Sequence, residues 1–565
     1  MIGKRSSQMP LFDVGNVFDL QLDPHSFQAQ LANAAPRLFK DEDFATFYKE
    51  KRGRPSVPPS LLALTLLLQH EAGVSDEEAI ARTTYDLRWC AVLRTEAGQP
   101  LCAKSTLQLF RAHLLLHPEV QAIFTASLKE AKRAGLLKGQ AMRLALDTKP
   151  IRGRGAVQDT FNLLGSGIRQ LGRALAHEAK ENPEDWLCAH DLARYTSSSL
   201  KGSADIDWSD EAAKDALLTQ VVLDAKRLLG LATSPKPSVR EAATLLEALL
   251  LQDVQVTTTE AGTEQAQIKE GTAPGRMPSA TDPEVRHGRK SASKLFNGHK
   301  ADVACDIDSQ IIVAFDVLAG DAGDASNALE LVKQAEAHTD LSVAESTGDC
   351  AYGGGPTREA FAKVDRELLA KVPQEASRND LYPKSAFEID LEQNTVTCPA
   401  GKVATVYRTT EAGGKTFVFG WVCRDCPLRA LCTTSKTGRS VSVHAQEAML
   451  QSARAYQKTP EGRCRLRERV VIEHRLARLG QLGIGQARYV SRKKTKFQLM
   501  LACTLANLRW TWNWEADQVG GSADSAPIGG SGGFLRACCG LLERFGWFVA
   551  GFGAANAAPV AFAAS

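Results

Sequence analysis

The chain has 565 residues, 44% of them hydrophobic and 24% charged, with a formal net charge of +3. Such ordinary globular values exclude wholesale disorder and a membrane-embedded body, and at about 150 residues per domain they predict roughly two to four domains. A net charge this small names no partner, so any electrostatic footprint must come from how the charges are distributed.

Residues 1–140 read as an all-α N-terminal domain. Leu61 to Leu68 carries apolar residues at helical spacing, Ser75 and Glu78 form a capping-box signature, and Ser105 precedes Leu107, Leu109 and Phe110 as a third start signal. Lys51, Arg52, Arg54, Lys104 and Arg111 flank these segments. Short helices beside cations suit a helix-turn-helix-like DNA reader, and a plain helical packing domain has the same periodicity.

Met142 to Asp147 is a short apolar run that ends in a carboxylate and is followed by Pro150, which predicts a buried strand with Asp147 at its C-terminal edge. Residues 156–285 read as a helical insertion (Ala212 to Leu231, Ser238 to Leu251) and a polar linker. From 286 to 377 the order is α/β: strands at His299 to Ile307 and Gln310 to Leu318 around an Asp308-Ser309 turn, a helix at Asn327 to Ala337, and a strand at Leu341 to Ser346. A helix near Thr357 to Val364 and a strand at Leu368 to Val372 complete it. Together with residues 141–155 this predicts a mixed sheet with helices.

Residues 378–448 read as a small β-rich insertion holding four cysteines, and 449–514 as helical and basic, with one helix over Arg465 to Leu479. Between Arg463 and Lys496 stand eleven Lys or Arg against two Glu, the footprint of phosphate neutralisation or of a solvated surface. Residues 515–565 read as a Gly/Ser/Ala-rich linker and an apolar tail. Its stretch after Arg544 approaches spanning length, but three Gly, Asn556 and Pro559 disfavour a spanning helix, and no membrane partner is expected. No internal repeat is evident.

Phosphodiester hydrolysis and transfer need the attacking and leaving oxygens activated together, which two hard cations about 4 Å apart achieve when carboxylates hold them. Asp147 and Asp349 end predicted strands, and Glu473 lies on a predicted helix with Arg469 on the same face four residues earlier. Taken singly, each has an ordinary reading as a turn residue or an exposed ion pair. Their order along the chain is more specific.

Five segments in that order, Asp147 to Thr160, Thr281 to Lys290, Phe296 to Lys300, Gly348-Asp-Cys-Ala-Tyr352-Gly and Arg469-Val-Val-Ile-Glu473, resemble DDE transposases of bacterial insertion sequences, in particular the eleven-eighty-two group. The resemblance runs from about residue 12 to residue 514. It implies a ribonuclease-H-like fold whose Asp147, Asp349 and Glu473 hold Mg²⁺ or Mn²⁺, and an N-terminal region that helps bind terminal inverted repeats. The implied activity is cleavage at transposon ends and strand transfer into target DNA, with a homodimer in the synaptic complex. Other readings are a transposase-derived DNA-binding protein without cleavage and another nuclease of the same fold. Arg469 matches the arginine of the family's tyrosine-arginine-glutamate-lysine signature, while Leu466 stands at the tyrosine and Gly480 at the lysine. Arg475 or Arg478 could take the lysine's place; Arg492, Lys493 and Lys494 are further DNA-contact candidates. His299 and Lys300 either approach the phosphate or are ordinary strand-face residues.

Thirteen cysteines form no dense secreted scaffold and no cleavable signal is read, so a reducing bacterial cytoplasm is expected. Cys398, Cys423, Cys426 and Cys432 have a spacing that suits one tetrahedral, structural Zn²⁺, with His444 an alternative ligand and four reduced thiols the plain reading.

Overall fold

The structure is a computed structural model; it describes residues 1–5, 14, 21–49, 53–117, 121–258, 264–291, 293–373 and 381–520. The chain divides into two compact units, residues 1–511 and 512–565. Of the second, only the end of a helix is described, so the expected apolar tail lies outside the described residues, as do Lys51 and Arg52. Among the described residues no helix is long and apolar enough to cross a membrane.

The sheet at the centre of the first unit comprises β1 (Ala141–Arg152), β4 (Arg286–Arg289), β5 (Leu295–Asp306), β6 (Ile312–Ala319), β7 (Ser342–Gly348) and β8 (Glu367–Ala370). Both β6 and the short β4 pair with β5, and the order then continues β5, β1, β7, β8. β5 is antiparallel to β1, whereas β7 is parallel to β1 and β8 to β7. This is the mixed α/β, ribonuclease-H-like sheet. Its Asp308-Ser309 turn is held by the Asp306 carboxylate, which accepts from the Ser309 N–H at 2.8 Å and from its hydroxyl at 2.6 Å. Gln310 has φ +59°, so β6 starts two residues later than the apolar pattern predicts.

β1 corrects one expectation. Asp147 is not at the end of a six-residue strand but in the middle of a twelve-residue one that continues through Pro150, paired with Lys300. Proline is tolerated because pairing with β7 stops at Ala145 and the next pairing on that edge is at Arg152, which leaves the edge of β1 unpaired at Pro150.

The N-terminal helices are α1 (Phe27–Leu38), α2 (Pro59–Ala72), α3 (Asp76–Tyr85), α4 (Leu87–Leu93), α5 (Lys104–Leu116) and α6 (Ala122–Arg133). Every residue of α2 from Pro59 to His70 is buried, which makes it the axis of the region. α6 joins the region to the sheet: the Phe124 ring meets Phe315 of β6 edge-on at 4.9 Å. Arg111 is buried, with its guanidinium on Asp76 at 2.7 Å and on Gln69 at 3.1 Å, so it serves packing.

Between β1 and β4 lie α7 (Thr160–Ala179), α8 (Pro183–Ala189), α9 (Leu200–Ser203), α10 (Glu211–Leu231) and α11 (Pro237–Asp253), which share a hydrophobic core. The expected linker contains a hairpin, β2 (Val254–Thr258) with β3 (Glu264–Ile268). After β6 come α12 (Ala328–Thr339), which packs on β6 and β7, and α13 (Gly355–Ala362).

The cysteine-containing insertion is two three-stranded sheets, β9 (Glu388–Asp390), β10 (Thr395–Thr397) and β11 (Val403–Ala404), then β12 (Tyr407–Thr409), β13 (Lys415–Val418) and β14 (Ser440–Val443). They close on their own core around Phe387, Val396, Phe417 and Val441.

The remaining helices are α14 (Arg429–Cys432), α15 (Glu447–Tyr456), α16 (Pro460–Arg467), α17 (Val470–Gln481) and α18 (Arg492–Gly520). The helix expected over Arg465 to Leu479 is interrupted at Glu468-Arg469, where Glu468 accepts a 2.6 Å hydrogen bond from Arg143 of β1. That contact sets α17 across β1 and β5.

Candidate active site

The parallel register of β1 on β7 ends at Ala145 opposite Thr347. Asp147 and Asp349 each lie two residues beyond that last pair, and Asp349 is near enough for its charge to act on Asp147. Asp349 leaves the sheet at once, and its carboxylate accepts from the Ala351 N–H at 2.8 Å.

Glu473 arrives from α17. Arg469, the N-cap residue of that helix, donates to Asp147 Oδ2 at 3.2 Å and to Glu473 Oε1 at 2.6 Å. One guanidinium thus holds carboxylates that are 326 positions apart in sequence, Asp147 and Glu473. Hydrophobic burial of Val471, Ile472, Leu476 and Leu479 keeps the helix face in place. Glu473 in its first turn also meets the positive end of the helix dipole.

Burial pushes Asp147 up to about 6; repulsion from Asp349 and Asp324 adds to this, and the Thr148 N–H and Arg469 oppose it. Two further aspartates lie close by. Asp324 accepts from the Thr148 hydroxyl at 2.9 Å and from Lys300 at 2.8 Å. Asp302, fully buried on β5, accepts from Asn327 at 3.1 Å through one oxygen, while its other oxygen has no partner among the described residues. Burial first, then Asp316, Asp324 and Asp147, push it up to about 7.

Tyr352 is fully buried, and its hydroxyl likewise has no partner among the described residues. Burial raises its ionisation well above the usual range, helped by Asp302, Asp147, Asp324 and Asp349. Its ring fills the space beside Gly348, where a Cβ would lie 2.5 Å from the ring, so only glycine fits before Asp349. Sequence reasoning gave no role to Asp302, Asp324 or Tyr352; the Gly348-to-Tyr352 motif was the available signal.

The other expected contacts divide. His299 is fully buried, 3.8 Å from Asp282, and Lys300 is spent on Asp324 and the Ala322 carbonyl, so both are interior groups. Arg475 is buried, its guanidinium 4.2 Å from the Trp510 ring centre, and the half-buried Arg478 donates to Gln481 at 2.8 Å. Arg492 pairs with Glu284 at 3.4 Å, while Lys493 and Lys494 are exposed at the start of α18.

All four expected zinc cysteines line one cavity of about 20 Å³. Backbone N–H groups of Lys402 and Arg439 point at the sulfurs of Cys398 and Cys423, at 3.4 and 3.5 Å. Burial, then the neighbouring Cys423, Cys398 and Cys426, raise the Cys432 thiol against the pull of Arg439. His444 is elsewhere, against Gly355, which removes it as an alternative ligand. Among the described residues no three His, Cys, Asp or Glu side chains are drawn together tightly enough to hold an ion, and at the carboxylates Arg469 stands between two of the acids.

A family described as Transposase DDE domain matches residues 397–512, and one described as Transposase domain (DUF772) matches residues 16–113. No curated protein and no solved structure matches the chain. The first match spans α17 with Glu473, and the second covers α1 to α4 and most of α5. DDE enzymes work with divalent cations on DNA, chemistry that suits hard oxygen donors at the open end of such a sheet. With both transposase domains on a ribonuclease-H-like fold, the chain belongs to the DDE transposases, which cleave DNA at the ends of a mobile element and join them to a target.

Proposed function

We propose that Asp147, Asp349 and Glu473 are the cation-holding carboxylates of this transposase, that the cation is Mg²⁺ or Mn²⁺, and that the element belongs with the eleven-eighty-two group. The observation that carries the reading is Arg469 bridging Asp147 and Glu473 beside the strand end that presents Asp349. Asp147, its proton affinity raised first by burial and then by the charges of Asp349 and Asp324, fits a hard cation, whose charge would offset both. When bound, the cation supplies polarisation of the nucleophile and leaving oxygens.

The chain's own groups do the rest. Asp147 and Glu473 would hold the cation in place of the Arg469 guanidinium, which would then be free to offset charge on the scissile phosphate. Lys300 neutralises Asp324 and so limits the charge around Asp147. Lys493 and Lys494 contact the DNA backbone, and the N-terminal helices take part in recognising the terminal repeats.

Joining two ends calls for two copies of the chain in the synaptic complex, acting in the bacterial cytoplasm. Cys398, Cys423, Cys426 and Cys432 hold one Zn²⁺, a closed set that folds the insertion and leaves no open position for chemistry. The acids retained at all three positions favour an active enzyme over a binding-only descendant. Asp147→Asn, Asp349→Asn and Glu473→Gln are each expected to abolish cleavage of a terminal-repeat duplex while binding persists; a variant that still cuts removes its residue from the site.

A further inference from the structure

A groove of about 810 Å³ opens two residues along β1 from Asp147, walled by Lys149 and Arg152 of β1 and by Lys290 and Lys294 from the β4–β5 connection. No acid lines it, and none of the four cations has an ion-pair partner among the described residues. Its floor is the end of α17, with Gly480, and the segment after it, with Gly483 and Gly485. That floor is sewn to β1: the Arg152 N–H donates to the Gly485 carbonyl at 3.0 Å, and the Ala487 N–H donates to the Arg152 carbonyl at 2.8 Å.

We propose that this groove holds the phosphate backbone of the transposon-end strand leading into the carboxylates, and that Lys149 there does the work of the lysine missing at Gly480. The inference rests on the reading of Asp147 and Glu473 as the cutting site. A Cβ at Gly480 would lie 3.1 Å from the Lys149 ammonium nitrogen and 3.3 Å from its Cε. The signature position therefore carries a cation, supplied by the strand instead of the helix, and glycine leaves room for it.

Alternation along β1 turns Lys149 to the same side as Asp147, about 7 Å further along the strand. Gly480 is seven residues, about 10 Å, beyond Glu473 along the helix. With one phosphate per ~3.4 Å of each DNA strand, that is two to three nucleotides from the scissile bond.

The test uses the full chain and a duplex carrying the inverted repeat that flanks the coding region, with or without neutral methylphosphonates at the three phosphates nearest the cleaved bond. Neutral phosphates are expected to weaken wild-type binding at least tenfold and to weaken Lys149→Gln/Lys290→Gln/Lys294→Gln less than twofold. Removing three contacts lowers the slope of log affinity against log salt by about 2.7, so between 50 and 200 mM salt the triple variant loses about 40-fold less affinity than wild type. Equal methylphosphonate penalties in the two proteins, or an unchanged salt slope, overturn the proposal. Should the triple variant melt early, Lys294→Gln alone serves, with an expected slope change of about 0.9. Asp147→Asn is assayed for cleavage in parallel. If it still cuts, the site reading fails, while the phosphate cycle alone decides the groove.

Discussion

Replacing Asp302 by Asn tests the electrostatics of the site without removing a proposed ligand. Asp302 is pushed up to about 7 by burial and by Asp316, Asp324 and Asp147. Against an ordinary value near 3.8, that is roughly 3 units, a ceiling of about 4 kcal/mol opposing folding once the group is ionised. Because the folded value lies above the unfolded one, the penalty is absent below about pH 4, grows as pH rises to about 7, and is constant above. The Asn brings a buried amide whose unmet hydrogen bonds take back about 1–3 kcal/mol, leaving a net gain of about 1–3 at pH 8. At roughly 2.1 cal/mol/K of unfolding entropy per residue over some 500 residues, Tm rises by about 1–3 °C. Melting of both proteins in chelator at pH 5 and pH 8 is the assay. The variant should gain at pH 8 and lose the gain at pH 5; an equal difference at both pH values, or a less stable variant at pH 8, refutes the reasoning.

Other outcomes follow from named contacts. Arg469→Met is expected to cost about 1–2 kcal/mol in metal-free melts, mostly from the half-buried Asp147 bond and little from the exposed Glu473 pair, and to slow single-turnover cleavage at least tenfold; unchanged melting would remove the bridge. Tyr352→Phe deletes a buried hydroxyl that has no partner among the described residues, so the variant should melt at the same temperature or about 1 kcal/mol more stably. A loss of stability there would reveal a partner for the hydroxyl. Metal analysis should find about one Zn²⁺ per chain, released by Cys426→Ser, and a zinc-free, fully folded protein would defeat the four-thiolate site.

The order of the sheet elements was legible because apolar runs and turn residues are local signals. Pro150 misled for a definable reason: it signals a strand end only if both edges are paired, and the open edge beyond Ala145 depends on where β7 stops, some two hundred residues later. Likewise the helix expected over Arg465 to Leu479 is interrupted where Glu468 meets Arg143, a contact that no periodicity in that segment encodes. Arg111 looked like a DNA contact because its partners Gln69 and Asp76 come from other helices. The Lys149–Gly480 pairing was hidden for the same reason, since a missing side chain is informative only when the group filling its space is known.

The alternating geometry of β1 has a consequence for decayed copies of such an element. Asp147 meets Arg469, while its neighbour Thr148, turned the other way, meets Asp324. Gain or loss of one codon between 141 and 146 would rotate that pattern by half a turn and exchange the two side chains' surroundings. A gene with every acidic codon intact could thus be silent, its defect written only in the parity of one strand.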